Sequence, residues 1–432
     1  MTARTNDLRP FLLVESATLI SGMGNGISLV ALPWLVLELT GKATAAGIVA
    51  AAMAVPLVVS SVFSGTVVDM LGLRATSMAS DLASALAVAA IPVLNLTGNL
   101  SVAAVAALAA LGAVFDPAGV TARESMLPDA ALRAGLRLER ANGVHEAVWG
   151  VAFLVGPGVG GLLISTFGAT NTLWATTAGF LVAISLIAAA RVPASGRPGG
   201  ADKPAGLLRG TAEGLRFVWN DRLLRALALI GTAVVALYLP MEGVLLPAWF
   251  QQRGAPQQLG AVLMALSAGG IVGSLSYGQW GGRVGRRALY LMAIVGTGLA
   301  TVAMATLPPT MLLIAAAAAC GLAYGPVQPL INLAVQTRTP PGLRGRVIGV
   351  LVAAEYAAGP VGYLLAGPTV DAFGVRPAFL GLAAALLLVA LGTTLLPSLR
   401  MLGDLPDTPP DETDDHWLTT AVRAAPPRSA VD

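Results

Sequence analysis

Apolar, almost uncharged runs of about 20 residues or more alternate along this chain with short polar turns. A helix crossing the hydrocarbon core of a bilayer takes about 20 predominantly apolar residues. By that measure the sequence predicts twelve spans, at 11–39, 44–68, 76–96, 100–121, 143–167, 171–190, 224–249, 258–280, 288–307, 310–335, 345–370 and 376–398. Turns such as Thr40-Gly41-Lys42, Asn95 to Asn99 and Leu307-Pro308-Pro309 separate them. The runs are long and lack the period-2 alternation of barrel strands, so helices are expected. The fold class is an all-α membrane protein with twelve transmembrane helices. The first run is too long for the 7–15-residue core of a cleavable leader and reads as a span that also directs targeting.

Charge placement sets the orientation. Lys42, Arg253 and Arg376 are the only basic residues in one set of turns, and the other 23 of the 26 Lys and Arg fall in the opposite set and the termini. The positive-inside rule then puts both termini in the cytoplasm of a multi-pass protein of the cell inner (plasma) membrane. The longest cytoplasmic segment begins with a Gly/Pro-rich stretch, Pro193 to Pro204, and continues as Leu207-Leu208-Arg209 to Leu223-Leu224-Arg225. That second part has the pattern of an amphipathic helix at the membrane surface. The expected organisation is a six-helix bundle over 1–190, a cytoplasmic linker over 191–223, a second six-helix bundle over 224–400, and a disordered acidic tail over 401–432 with Asp404, Asp407, Asp411, Glu412, Asp414 and Asp415.

Composition narrows the function. Hydrophobic residues make up 56% and charged residues 11% of the chain, against about 25% charged in soluble domains. A single cysteine, Cys320, excludes an intramolecular disulfide, and with two histidines it leaves no metal site to expect. No GxxxxGK[ST], HExxH or GxSxG occurs, so ATP as direct energy source and an enzyme active site are both disfavoured. No cofactor and no nucleic-acid partner are expected; the bilayer is, with the chain working as a monomer.

The two halves repeat one another. Gly65, Asp69, Gly72 and Arg74 follow the second span, and Gly278, Gly282, Gly285, Arg286 and Arg287 follow the eighth. Gly156-Pro157 matches Gly359-Pro360, Phe167-Gly168 matches Phe373-Gly374, and Pro117 matches Pro326, each pair about half a chain apart. Duplicated bundles around a central cleft are the architecture of many secondary transporters.

On these residues the chain resembles the drug:proton antiporters of the major facilitator superfamily. Gly65-x-x-x-Asp69-x-x-Gly72-x-Arg74 is similar to that superfamily's loop signature, with Leu73 where an Arg is usual and Gly282 replacing the acid of the second copy. Gly143-x8-Ala152-x3-Gly156-Pro157-x-x-Gly160-Gly161 resembles the antiporter motif of the fifth helix, with Ala152 for one Gly. Longer stretches, Ala31 to Leu37, Glu213 to Asn220, Leu237 to Glu242 and Leu343 to Val347, are similar to the Tap-type multidrug efflux pumps. The resemblance runs from about residue 10 to 400. It implies two pseudo-symmetric bundles and proton-driven export of small amphipathic drugs by alternating access. A nutrient or metabolite carrier of the same fold and a non-transporting sensor or scaffold are the alternatives. It also implies a latch in which Asp69 faces the start of the eleventh helix near Gly345 and Arg74 pairs with a neighbouring acid. The fourth span, ended at 121, lacks the mid-membrane Arg many such antiporters use.

Acids inside spans are costly and usually serve a pathway. Glu15, Asp116, Glu146, Glu242 and Glu355 are the proton-coupling candidates, with Glu242 and Glu355 foremost because both sit deep in apolar company. Glu15 and Asp116 are also suited to a cationic substrate, Asp116 preceding Pro117 in an expected helix break. Asp81 is expected near the inner surface, and His145 beside Glu146 is a second titratable group. Asn25, Gln328 and Asn332, with Gln336, offer neutral polar contacts in the cleft; Trp34, Tyr238, Tyr324 and Tyr356 offer aromatic faces.

Overall fold

The computed structural model describes residues 7–190, 207–280, 284–340 and 343–405, with backbone only at Val62, Phe63, Gly65, Thr66, Asp69, Glu139, 207–211, 278–280 and Gly345. Gly282 and the tail from 406 onward lie outside the described residues.

The first half holds α1 (Arg9–Thr40), α2 (Ala43–Leu71), α3 (Leu73–Leu96), α4 (Val102–Arg133), α5 (Leu138–Phe167) and α6 (Ala169–Ala189). A short amphipathic helix, α7 (Leu207–Asn220), follows. The second half holds α8 (Arg222–Pro240), a π-helical turn (Met241–Leu245), α9 (Leu246–Gln251), α10 (Pro256–Trp280), α11 (Arg286–Ala305), α12 (Thr310–Tyr324), α13 (Val327–Arg338), α14 (Arg344–Phe373) and α15 (Val375–Thr394), then a 3-10 turn, Pro397–Leu402. Twelve segments among the described residues are long and apolar enough to cross a membrane. Leu181, Leu299, Met311, Leu388 and Leu391 are large apolar residues left exposed, as lipid-facing positions require.

Four expectations need correction. The fourth span does not end at 121: α4 continues to Arg133 and passes unbroken through Pro117. The seventh span is not one regular helix, because a π turn interrupts it at Met241–Leu245. The tenth breaks at Gly325-Pro326, between α12 and α13, where a proline following glycine withdraws a backbone donor. The second bundle extends past 400, since Leu402 and Leu405 pack into its core with Leu399.

The internal repeat appears in the turns. Gly168 between α5 and α6 has φ 79° and ψ 162°, and Gly374 between α14 and α15 has φ 85° and ψ 165°. These are conformations a β-carbon disfavours, which is why both turns use glycine. Arg74 of α3 donates to the carbonyl of Ala188 at the end of α6. Arg286 of α11 donates to the carbonyl of Leu405, after α15. Each signature arginine thus ties the third helix of its half to the chain at the end of the last one.

The chain has two ends along the helix axes. One carries the short turns (Gly41-Lys42, 97–101, 252–255, 306–309); the other carries α7. Within the second half, α7 lies against α14, with Phe217 and Val218 buried and Glu213 Oε2 2.5 Å from Arg346 Nη1. Asp221 caps α8 by accepting from the amides of Leu223 and Leu224, at 2.8 and 2.9 Å, and pairs with Arg338 at 2.8 Å.

The halves meet mainly through α2 with α14 and α5 with α10. At the short-turn end Asp371 of α14 accepts from the first two amides of α2, Ala43 at 2.7 Å and Thr44 at 2.8 Å. Gly47 and Gly367 let the same two helices touch; a Cβ on Gly47 would sit 2.5 Å from the Tyr363 carbonyl oxygen. Val30 to Leu37 of α1 and Met241 to Leu246 join one apolar core there. Toward the α7 end the halves part. Tyr363 is 8% exposed, whereas Tyr356, two turns along the same stripe of α14, is 44% exposed. A cleft therefore opens at the α7 end and is closed at the short-turn end.

Candidate functional site

The first half puts three polar pairs at depth, and α1 holds a member of each. Asn25 Nδ2 donates to Asp116 Oδ1 on α4 at 3.1 Å. Because α4 is continuous here, Asp116 is held by that amide and not by a helix break. Ser21 donates to Asp81 Oδ1 on α3 at 2.9 Å and accepts from Arg123 Nη2 at 3.2 Å. Arg123 Nη1 reaches both Asp81 oxygens, at 3.1 and 3.0 Å. Glu15 Oε1 and Oε2 stand 3.1 and 3.3 Å from His145 Nδ1 on α5.

Two of these correct the sequence reading. Asp81 is not a solvated surface charge; it is 2% exposed and ion-paired with a 1% exposed Arg123. The fourth span does carry a buried arginine. It was missed because the span was cut two residues short of it, although a membrane aspartate on the third span was itself a signal that a cation must face it. His145 is hydrogen-bonded to Glu15, while Glu146, its exposed sequence neighbour, lies near the ring as well. Glu15 is 4% exposed and occupied by the imidazole, so it is not free to receive a cation in this state.

The second half carries less satisfied acids. Glu242 lies in the π turn and accepts a hydrogen bond from Tyr238. Tyr238 stacks on Tyr324 with centroids 5.4 Å apart and planes at 18°. A π turn shifts the register of a helix by one residue and often marks a functional position; here it puts Glu242 beside that aromatic pair. Glu355 is half-buried on α14, opposite Gly231 of α8, where a Cβ would be 2.9 Å from its Oε1. The glycine makes room for the carboxylate.

Tyr356 on α14 is exposed, as are Gln328 and Asn332 on α13, where Gln328 donates to Asn332 at 3.1 Å. Trp34 is a correction: it is 4% exposed within the core that closes the short-turn end, its Nε1 donating to Glu38 at 2.7 Å. In this state it faces no cleft.

The fifth-helix motif packs. Gly156 meets Gly26 of α1, with a Cβ position 2.9 Å from its Cα, and Gly160 meets Ile27. Gly161 abuts the carbonyl of Pro256 and Gly260 on α10, while a Cβ at Gly143 would meet nothing. Pro157 sits within an α5 that runs on unbroken. In the loop signature, Gly72 turns the chain at φ 84°. Arg74 is a correction, since it pairs with a backbone carbonyl at a helix C-terminus and not with an acid. Gly285 caps α11, and Arg287 is half-buried. The side chain of Asp69, and Gly65, Gly278 and Gly282, fall outside what is described. No cluster of three or more metal-binding side chains occurs among the described residues.

Comparison with known proteins agrees with this architecture. Residues 15–363 match the model of the Major Facilitator Superfamily. A "Multidrug efflux pump Tap" of Mycolicibacterium fortuitum is 48% identical over 409 residues, covering 94% of this chain and 100% of that protein. One of the same description from Mycobacterium tuberculosis is 47% identical over 402 residues, covering 92% and 96%. Among solved structures, the nucleoside transporter NupG superimposes with a TM-score of 0.75 at 13% identity, covering 90% of this chain and 98% of its own. At that identity the likeness concerns the fold.

Proposed function

Because this chain belongs to the Major Facilitator Superfamily, we propose that it is a drug efflux transporter, a proton-coupled antiporter that exports small amphipathic compounds by alternating access. The carrying observation is that the two halves meet at the short-turn end and part toward the α7 end, with acids held within the spans of both halves. The near-complete coverage of Tap efflux pumps at 47–48% identity supports the cargo class. The α7 end is cytoplasmic in this reading, on the strength of the basic residues gathered there.

Two six-helix bundles, 1–190 and 224–400 with the short extension to 405, rock about the cleft. In the state described, Asp371 and the glycine contacts close the outer side, so compound enters from the cytoplasm or inner leaflet. Glu242 and Glu355 are the leading proton carriers. An acid with a single neutral partner in an apolar setting gains most from neutralisation, and alternation then exposes it to the other side. In the opposite state Asp69 faces the N-terminus of α14 as Asp371 now faces that of α2.

The test is uptake of a fluorescent dye or antibiotic into inverted vesicles, with and without an imposed proton gradient. Uptake that rises with the gradient and collapses on its dissipation is expected. Gradient-independent uptake removes antiport, and no uptake of any amphipathic compound removes drug export.

A further inference from the structure

His145 makes two hydrogen bonds whose polarity fixes its proton. Trp149 Nε1 lies 3.2 Å from His145 Nε2, and an indole N–H only donates. Nε2 must therefore be the bare, accepting nitrogen, and the proton is on Nδ1, donated to the Glu15 carboxylate. The imidazole is neutral in this arrangement. A proton arriving at Nε2 forms an N–H directed at another N–H, and the indole has to leave.

Three carboxyl groups lie near that ring, on Glu15 of α1, Glu124 of α4 and Glu146 of α5. Arg123 of α4 is committed to Asp81, and α6 and α10, which also flank α5, carry no Asp, Glu, Lys or Arg. A proton and the indole N–H thus compete for one atom, Nε2.

Trp149 is also part of a surface a ligand can use. It stacks on Phe153, centroids 5.7 Å apart at 25°, and Phe153 is 47% exposed. Glu146 lies on the same face of α5, exposed, and near enough to Glu124 of α4 to act on its charge. That face of α5 therefore lies toward Glu124 of α4. Gly22 of α1 backs the indole, where a Cβ would be 3.2 Å from its six-membered ring. Two stacked rings beside a carboxylate suit a planar aromatic cation.

We propose that Trp149 is the group through which a proton and a planar aromatic cation exclude one another: the indole is docked on neutral His145 when the stacking surface is built, and is displaced when Nε2 takes a proton. This supplies the antagonism that exchange of drug for proton needs, and it rests on the antiport reading above. Glu15 and His145 are the positioning residues and Trp149 the contact residue.

The chain has two histidines, so a His416→Gln background leaves one imidazole to observe. ¹⁵N-histidine NMR of the full protein in nanodiscs should show the neutral Nδ1–H tautomer at high pH. Protonation of His145 should coincide with a fluorescence change that Trp149→Phe abolishes. Losing one neutral hydrogen bond to the unprotonated ring should make His145 in Trp149→Phe bind its proton about five-fold more tightly. By reciprocity, saturating ethidium should weaken proton binding to His145 in the wild-type protein by a similar factor. An Nε2–H tautomer, an unchanged midpoint in Trp149→Phe, or a midpoint indifferent to ethidium overturns the proposal. None of these readouts requires transport, so failure of antiport in vesicles would be seen separately.

Discussion

Asp371 closes the cleft's far end by capping a helix that belongs to the other half, and its removal should tilt the balance between states. Its two carboxylate oxygens take the amides of Ala43 and Thr44, at 2.7 and 2.8 Å, which have no partner within α2. Asp371→Ala removes both acceptors. Loss of an N-cap costs about 1 kcal/mol, within a range of about 0.5–2, and the carboxylate's attraction to the helix N-terminus contributes about 0.3–1 at an exposed site. The cap exists only while α2 and α14 are together, so the loss falls on the closed state alone. Together that is about 1.3–2 kcal/mol, and with about 1.4 kcal/mol per factor of ten the ratio of closed to parted molecules should fall about ten- to thirtyfold. Asp371→Asn keeps an acceptor without the charge and should fall between, and its difference from wild type should shrink at high salt. Spin labels at Leu39 and Phe373, which flank the contact and are exposed, report the separation in a Cys320→Ser background. An unchanged distance distribution in Asp371→Ala, with helicity intact, would refute the assignment of this carboxylate as a seal.

Arg123→Ala strands the Asp81 carboxylate in a buried site and should cost about 3–5 kcal/mol, seen as lost expression or a lower unfolding temperature; Arg123→Ala with Asp81→Ala should recover much of it. If the double variant is as unstable as the single, the pair is not the cause. Glu242→Gln, a permanently neutral mimic of the protonated acid, should abolish gradient-driven efflux while ligand binding persists, and unchanged efflux moves the proton to Glu355. Gly161→Ala places a methyl against the Pro256 carbonyl, an overpacking worth about 1–3 kcal/mol. Turnover should fall with that spreading of α5 from α10, and normal turnover would show that the seam yields freely.

Hydropathy made the twelve spans legible, because bilayer thickness fixes span length, and the periodic pattern after Pro204 made the amphipathic helix α7 legible. The ends were less legible. Cutting the fourth span at 121 hid Arg123, since a charged residue at the end of an apolar run looks like a boundary until its partner is seen; Asp81 on the neighbouring span was that partner. The π turn at Met241–Leu245 leaves no mark in composition. Asp371 escaped notice for the opposite reason: it looks like an ordinary charge at a span's end, and only the position of α2 in space shows what it caps. Pairings such as Glu15 with His145 depend on which faces of α1 and α5 meet. The glycines at 22, 26, 156 and 160 decide that, and they are too common in this chain to be read singly.

The two halves repeat their scaffold and not their chemistry. The turn glycines 168 and 374 match in φ and ψ, and Arg74 and Arg286 staple equivalent helices. Yet the first half matches its deep acids with Arg123, His145 and Asn25, whereas the second sets Glu242 and Glu355 among tyrosines and glycine. A buried carboxylate with a cationic partner resists losing its charge, and one among neutral groups resists keeping it. Division of labour follows within the molecule: the Asp81–Arg123 pair is a fixed part of the framework on which substrate and Trp149 are arranged, whereas His145 in the first half and Glu242 and Glu355 in the second are the groups whose charge can change with each cycle. Neutralising Asp81 should then damage folding before it damages coupling, and neutralising Glu242 or Glu355 should do the reverse. Unfolding temperature and gradient-driven uptake measured on the same three variants separate the two outcomes, and a common loss of both in all three would put that division of labour aside.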